Sequence, residues 1–112
     1  MPHDRDADFL TDILDACRLS HAFLIGQSAD DALRDDLRRS ALLFQLIVIG
    51  EASGKVSLPL RIAHPEVPWK QLKGLRNVIV HQHWGLRHGD LVATVTVDLP
   101  EVEAAIRAFW RG

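Results

Sequence analysis

LVATVTV, residues 91–97, alternates apolar and polar side chains and is rich in β-branched residues, which is the pattern of a half-buried strand. A strand needs a partner, however, and an unpaired one is not stable in water. Nothing else in the chain reads as a partner strand, so residues 91–97 are read as a fourth helix and the chain as all-α. Downstream, Asp98 and Glu101 flank Pro100 in the manner of a capping box and are expected to open a short additional C-terminal helix to about Trp110.

Upstream, Pro68 suits the first turn of a third helix, PWKQLKGLRNVIVH, because its missing N–H has no partner there anyway. Trp69, Leu72, Leu75 or Arg76, and Ile79 mark the inward stripe of this helix, and Trp84-Gly85 closes it. Three prolines between Leu58 and Pro68 make a connector with room for a short helical turn. The second helix is expected from about Asp31 past Glu51. Its second half, ALLFQLIVIG, is apolar on nearly every face and must be surrounded by protein. A bundle this small covers all sides of one helix with difficulty, so a second subunit is expected. Gly50 and Gly54, four residues apart, let another helix approach closely. The first helix follows from Phe9, Ile13, Ala16, Cys17 and Ser20 at three- and four-residue steps, from about Asp6 to Ile25. Gly26 ends it, and Ser28 to Asp31 offers a turn with N-cap candidates.

Residues 1–112 show no repeat, linker or low-complexity tract, and 47% hydrophobic with 25% charged residues is the balance of a single globular domain. Cys17 is the sole cysteine, which excludes a disulfide framework and a cysteine-based zinc site and points to a reducing cytoplasm. The acidic opening MPHDRDADF is not a signal peptide. ALLFQLIVIG is about half the length of a membrane span, so no membrane partner is expected.

Net charge is −2, but it is unevenly spread. Residues 1–36 hold nine Asp against three Arg, whereas residues 61–88 hold Arg61, Lys70, Lys73, Arg76 and Arg87 against Glu66 alone. His64, His81, His83 and His88 share the second window. Such a segment can hold a phosphate backbone, although an ordinary solvated face explains the charges equally well.

Within GLRNVIVHQHWG, Arg76 and His81 are separated by four residues. On a continuous helix they lie about 140° apart with a rise of about 7.5 Å. Within one helix they cannot grip the same small group. Either the helix ends near His81, or a symmetric dimer completes the site. Asn77 does share a face with His81. Metal-free RNA cleavage needs a proton-transfer group at the 2′-hydroxyl and the leaving 5′-oxygen, which histidine supplies. It also needs a stabiliser of the charge on the phosphorane-like transition state, which the arginine fork supplies. Arg76, His81 and the polar Asn77 form a sufficient set, but the bare spacing is common by chance.

Four blocks in order make the pattern specific: FLTDILDA, RRSALLFQLIVIGEAS, HPEVPWKQLKGLRNVIVH and DLPEVEAAI. Together they resemble the HepT-like branch of the HEPN superfamily, from about Phe9 to Phe109. The resemblance implies an antiparallel four-helix bundle, a homodimer, and a metal-independent endoribonuclease without a cofactor. It also implies the toxin of a type II HEPN/MNT toxin–antitoxin system, acting on an RNA such as tRNA or mRNA and silenced by an MNT-type nucleotidyltransferase antitoxin. By resemblance, Arg76 and His81 are the catalytic pair and Asn77 their polar companion. The competing reading is a catalytically weak HEPN module that binds a nucleotide or a nucleotidyltransferase. One departure stands out. The family motif continues as H-x-Y, and the antitoxin is thought to adenylylate that tyrosine. Here His83 holds the matching position and the chain contains no tyrosine.

Lys70 and Lys73 lie one turn apart on the third helix, with Arg76 one turn further. They are candidate RNA-binding residues together with His83, against a plain solvated face as the alternative. His81-x-His83 is a pair with His88 nearby, but no third ligand stands at standard spacing, so no metal site is assigned. Ser40 and Glu51 lie nearly on one face of the second helix, and Glu51 suits a bonded structural role, with an arginine across the dimer among the candidates, at least as well as a catalytic one. Trp84 can stack on a base or pack in an interface, and Cys17 is a packing residue.

Overall fold

The computed structural model describes residues 5–82 and 86–112. Its elements are α1 (Asp6–Ala22), α2 (Ala29–Ala32), α3 (Asp36–Lys55), α4 (Leu58–Ala63), α5 (Trp69–Gln82), α6 (His88–Ala93), a π-helical segment (Thr94–Asp98) and α7 (Leu99–Phe109). The described residues contain no strand, and the fold is all-α. Four rods make the bundle: α1, α3, α5, and α6 joined through the π segment to α7. Central α3 packs most extensively against α5 on one side and α1 on the other.

The strand-like stretch is helical because its apolar residues serve a helical stripe. Leu91, Val95, Leu99, Val102 and Ile106 recur at three- and four-residue steps, and all are buried. Val97, which alternation would also turn inward, is 50% exposed. The separate C-terminal helix expected from Asp98 is instead a continuation of this rod. Asp98 has helical dihedrals and makes no side-chain cap. Pro100 cannot donate to the carbonyl four residues back, and its ring would crowd that carbonyl in a regular helix. The widened π turn just before it relieves the crowding, and the Leu99 N–H donates to the Thr94 carbonyl.

Helix ends follow their caps. α1 stops at Ala22, three residues short of the expected Ile25, and the turn that follows carries Gly26 at φ 88°, where glycine has no steric cost. The helix expected from Asp31 is divided in two. The Ser28 side chain accepts from the Asp31 N–H and caps α2, and the Asp35 side chain accepts from the Arg38 N–H and starts α3 anew. The short helical turn in the proline connector is α4, capped by Ser57. Buried Asp6 at the start of α1 accepts from both the Ser57 N–H (2.8 Å) and its hydroxyl (2.6 Å), tying the N-terminus of α1 to the C-terminal end of α3. α1 and α3 are therefore antiparallel.

Central α3 is not fully enclosed by its own chain. Leu42, Leu46 and Ile49 are buried, but Leu37 is 80% and Phe44 61% exposed. Leu37, Ala41, Phe44, Val48 and Glu51 fall on one stripe of α3 at three-, four- and seven-residue steps.

Candidate functional site

The α3–α5 contact sets the position of Arg76. A Cβ at Gly50 would lie 2.6 Å from Arg76 Cβ and 2.9 Å from the Leu72 carbonyl oxygen, so only glycine permits this approach. Gly54 faces the aliphatic part of Lys73, where a Cβ would sit at 3.4 Å. The helix admitted by the two glycines is thus α5 of the same chain.

With α5 this close, Glu51 Oε1 lies 2.6 Å from Arg76 Nε. Nε is shut off from solvent and the contact is an ion pair, not an aligned hydrogen bond. Arg76 Nη1 also donates to Asn77 Oδ1 at 3.2 Å. The guanidinium is held by Glu51 and Asn77 while more than a third of the Arg76 side chain stays exposed. It borders a groove of about 310 Å³ lined by Gly50, Glu51, Gly54, Lys55, Lys73, Arg76 and Asn77. A partly open guanidinium beside two lysines and an amide is suited to an anion of the size of a phosphate.

The structure brings together three of the residues singled out in the sequence, Arg76, Asn77 and Lys73, and joins Glu51 to them. The arginine that Glu51 meets is in its own chain. Lys55 was missed, since it comes from the end of α3 and no local spacing connects it to α5. His81 is exposed, and α5 is helical through Gln82. Arg76 and His81 therefore leave one regular helix in directions about 140° apart. The described helix ends one residue past His81, so both side chains still leave the same helix. Lys70 is exposed on the neighbouring surface, lining a second groove that Lys73 also borders. Ser40 is exposed on α3, more than two turns before Glu51. His83 and Trp84 lie outside the described residues.

Of the histidines grouped by sequence, His64 and His88 have separate partners. His64 stacks on Phe109 with ring centroids 3.6 Å apart, and its Nδ1 is 3.2 Å from Glu66 Oε2. His88 Nε2 is 2.7 Å from Asp30 Oδ1, joining the start of α6 to α2. That hydrogen bond, with a second from Arg34, lowers the Asp30 carboxyl below its ordinary value. Burial pushes the Cys17 thiol up to about 12, which suits a packing residue and not a nucleophile. Among the described residues no three His, Cys, Asp or Glu side chains gather as metal ligands, and no helix is long and apolar enough to cross a membrane.

Comparison with known proteins places this arrangement among relatives. Residues 13–109 match the family described as Ribonuclease HepT-like. The chain is 31% identical over 96 residues to the "Probable ribonuclease HepT" of Thermococcus cleftensis, covering 86% of this chain and 87% of the relative. It is 31% identical over 98 residues to "Putative RNase MJ1380" of Methanocaldococcus jannaschii, covering 88% and 90%. A third relative, "Putative RNase TTE0752" of Caldanaerobacter subterraneus, is 28% identical over 99 residues, 88% of each chain. No solved structure matches the chain.

Proposed function

Since the chain belongs to the HepT-like ribonuclease family, we propose that it is a metal-independent endoribonuclease whose catalytic centre joins Arg76 of one subunit to His81 of a second copy. The observation that carries this reading is the groove in which Glu51 and Asn77 hold Arg76 between Lys55 and Lys73. In the proposed reaction the RNA 2′-oxygen attacks the adjacent phosphorus, its proton leaves to a base, and the P–O5′ bond breaks as a proton reaches the 5′-oxygen. The products are a 2′,3′-cyclic phosphate and a 5′-hydroxyl. His81 moves the proton at one of these two oxygens, and Arg76 binds the non-bridging oxygens as their charge grows. Asn77 orients the guanidinium, while Lys70 and Lys73 attract the backbone. The stripe of exposed Leu37 and Phe44 and half-buried Val48 leads directly to Glu51, so a partner seated on it lies beside the Arg76 groove.

Arg76→Ala and His81→Ala are each expected to abolish cleavage of a synthetic RNA while the fold, read by circular dichroism, persists. Loss of a proton-transfer group costs about 100- to 10,000-fold. Unchanged cleavage by either variant, or wild-type cleavage that stops with EDTA and returns with a divalent metal, overturns the reading.

We further propose that this nuclease is the toxin of a HEPN/MNT pair and that its nucleotidyltransferase neutralises it without tyrosine adenylylation, because the chain has no tyrosine. Intact-mass spectrometry of the co-purified pair is expected to show unmodified protein. An added AMP mass mapping to His83 or a serine would instead identify a replaced acceptor.

A further inference from the structure

A second cationic groove opens beside the first, and the two share a wall. Lys73 borders the Arg76 groove and also a depression of about 510 Å³ at the α4–α5 junction, where Arg61 and Lys70 are the other charged residues. Among the described residues, no acidic side chain lines this second groove. Nearby Glu66 lines a different cavity and pairs with His64. Arg61 is half-buried, and its Nε is shut off from solvent with no hydrogen-bond partner among the described residues. A desolvated donor left unpaired is costly, and such donors ordinarily meet an acceptor or a water.

The cations form a band. Lys70, Lys73 and Arg76 follow each other at three-residue steps, each advancing about 4.5 Å along α5 and drifting about 60° around it. Arg61, from α4, lines the same groove as Lys70 and Lys73. Trp69 also lines the second groove but is buried, and its indole N–H donates to the His64 carbonyl at 2.9 Å. Its ring is occupied by packing, so the groove offers charge without an open stacking face. That chemistry suits a sugar–phosphate backbone and discriminates weakly between bases.

We propose that the Arg61–Lys70 groove is a phosphate subsite that holds the RNA strand away from the bond being cut, with Lys73 bridging it to the catalytic groove. The inference rests on the ribonuclease reading and extends that site along the substrate. A strand long enough to span both grooves is bound more tightly than one filling the Arg76 groove alone.

The test is fluorescence anisotropy with a labelled single-stranded RNA of about twelve nucleotides, 2′-O-methylated so that it binds without being cut. Wild type and the double variant Arg61→Gln/Lys70→Gln are titrated from 50 to 200 mM KCl, with thermal unfolding as the check on folding. Two lost phosphate contacts lower the slope of log affinity against log salt by about 1.4, so the affinity lost across this range shrinks about sevenfold. An unchanged slope in a folded variant, with wild-type cleavage of ordinary RNA intact, overturns the subsite and leaves the nuclease standing. Wild type that neither binds nor cleaves RNA overturns both. If the double variant binds RNA normally but no longer co-purifies with the nucleotidyltransferase, the groove is a protein interface and the subsite proposal fails. Should the double variant unfold, Arg61→Lys and Lys70→Gln are measured singly, and a slope reduced by about 0.7 in Lys70→Gln is required.

Discussion

A guanidinium that is to receive a phosphate has to be aimed and yet left partly unpaired, and Glu51 and Asn77 do this for Arg76. Glu51 holds Nε at 2.6 Å and Asn77 takes a hydrogen bond from Nη1, so the fork is oriented from one side. The carboxylate also repels an incoming phosphate. Glu51→Gln is therefore expected to lower kcat by about 3- to 30-fold, a loss of orientation smaller than that of Arg76 itself, without raising KM. Melting should move little, because a half-exposed pair of this kind contributes under about 1 kcal/mol. An unchanged kcat would remove Glu51 from the positioning of Arg76. A different carboxylate, Asp30, predicts a pH effect. Its hydrogen bonds to His88 and Arg34 lower its pKa from 3.8 in the folded chain. The stabilisation is then fully present above about pH 4 and is lost as pH falls through the lowered folded value. Urea midpoints should favour wild type over Asp30→Asn near pH 5.5 and converge near pH 2. Equal midpoints near pH 5.5 would show that the α2–α6 link contributes nothing.

At the scale of elements, the α3–α5 crossing depends on one missing methyl group. Alanine at position 50 would improve intrinsic helix propensity by about 1 kcal/mol. Its Cβ would nevertheless meet Arg76 Cβ at 2.6 Å and the Leu72 carbonyl at 2.9 Å, neither of them the end of a flexible side chain. Overpacking of this sort costs about 1–3 kcal/mol. Gly50→Ala should be destabilised in urea and should lose cleavage as Arg76 shifts from Glu51. A variant more stable than wild type would mean that the helices do not approach this closely. What the sequence reveals of these elements divides by range. Helix α5 and the buried stripe of α1 are readable because apolar periodicity and the Pro68 start are local signals. Short-range capping is read only in part: Ser28 caps α2 within the expected N-cap range, but Asp35 starts a second helix where one long helix is expected, and Asp98 caps none because Pro100 is absorbed by a π turn. The site divides in the same way. Arg76, Asn77 and Lys73 are legible as one run on α5, whereas Lys55 and the pairing of Glu51 depend on which helix crosses Gly50 and Gly54, and the glycine spacing does not name that helix.

At the scale of the whole molecule, the geometry of α5 and the open face of α3 make the same demand. Regular helix through Gln82 directs Arg76 and His81 about 140° apart, and Leu37 and Phe44 expose large apolar surface on the stripe that ends at Glu51. In the proposed dimer, a two-fold partner on that stripe would bury the apolar surface and bring each Arg76 to the other subunit's His81. Light scattering is expected to give twice 12.5 kDa for wild type, and Phe44→Asp should shift the species toward monomer with loss of cleavage. The more decisive experiment mixes two inactive chains. Arg76→Ala and His81→Ala homodimers each lack one member of both composite sites, so neither cuts RNA. In a mixed dimer, one site pairs two mutated positions, but the other pairs the intact Arg76 of the His81→Ala chain with the intact His81 of the Arg76→Ala chain. Random assortment makes half the dimers mixed, each with one of two sites whole, so co-refolding equal amounts should restore about a quarter of wild-type activity. Chains that act alone would restore nothing. Activity that stays at the level of either variant, in a sample shown by mass spectrometry to contain mixed dimers, would place Arg76 and His81 in the same subunit's site.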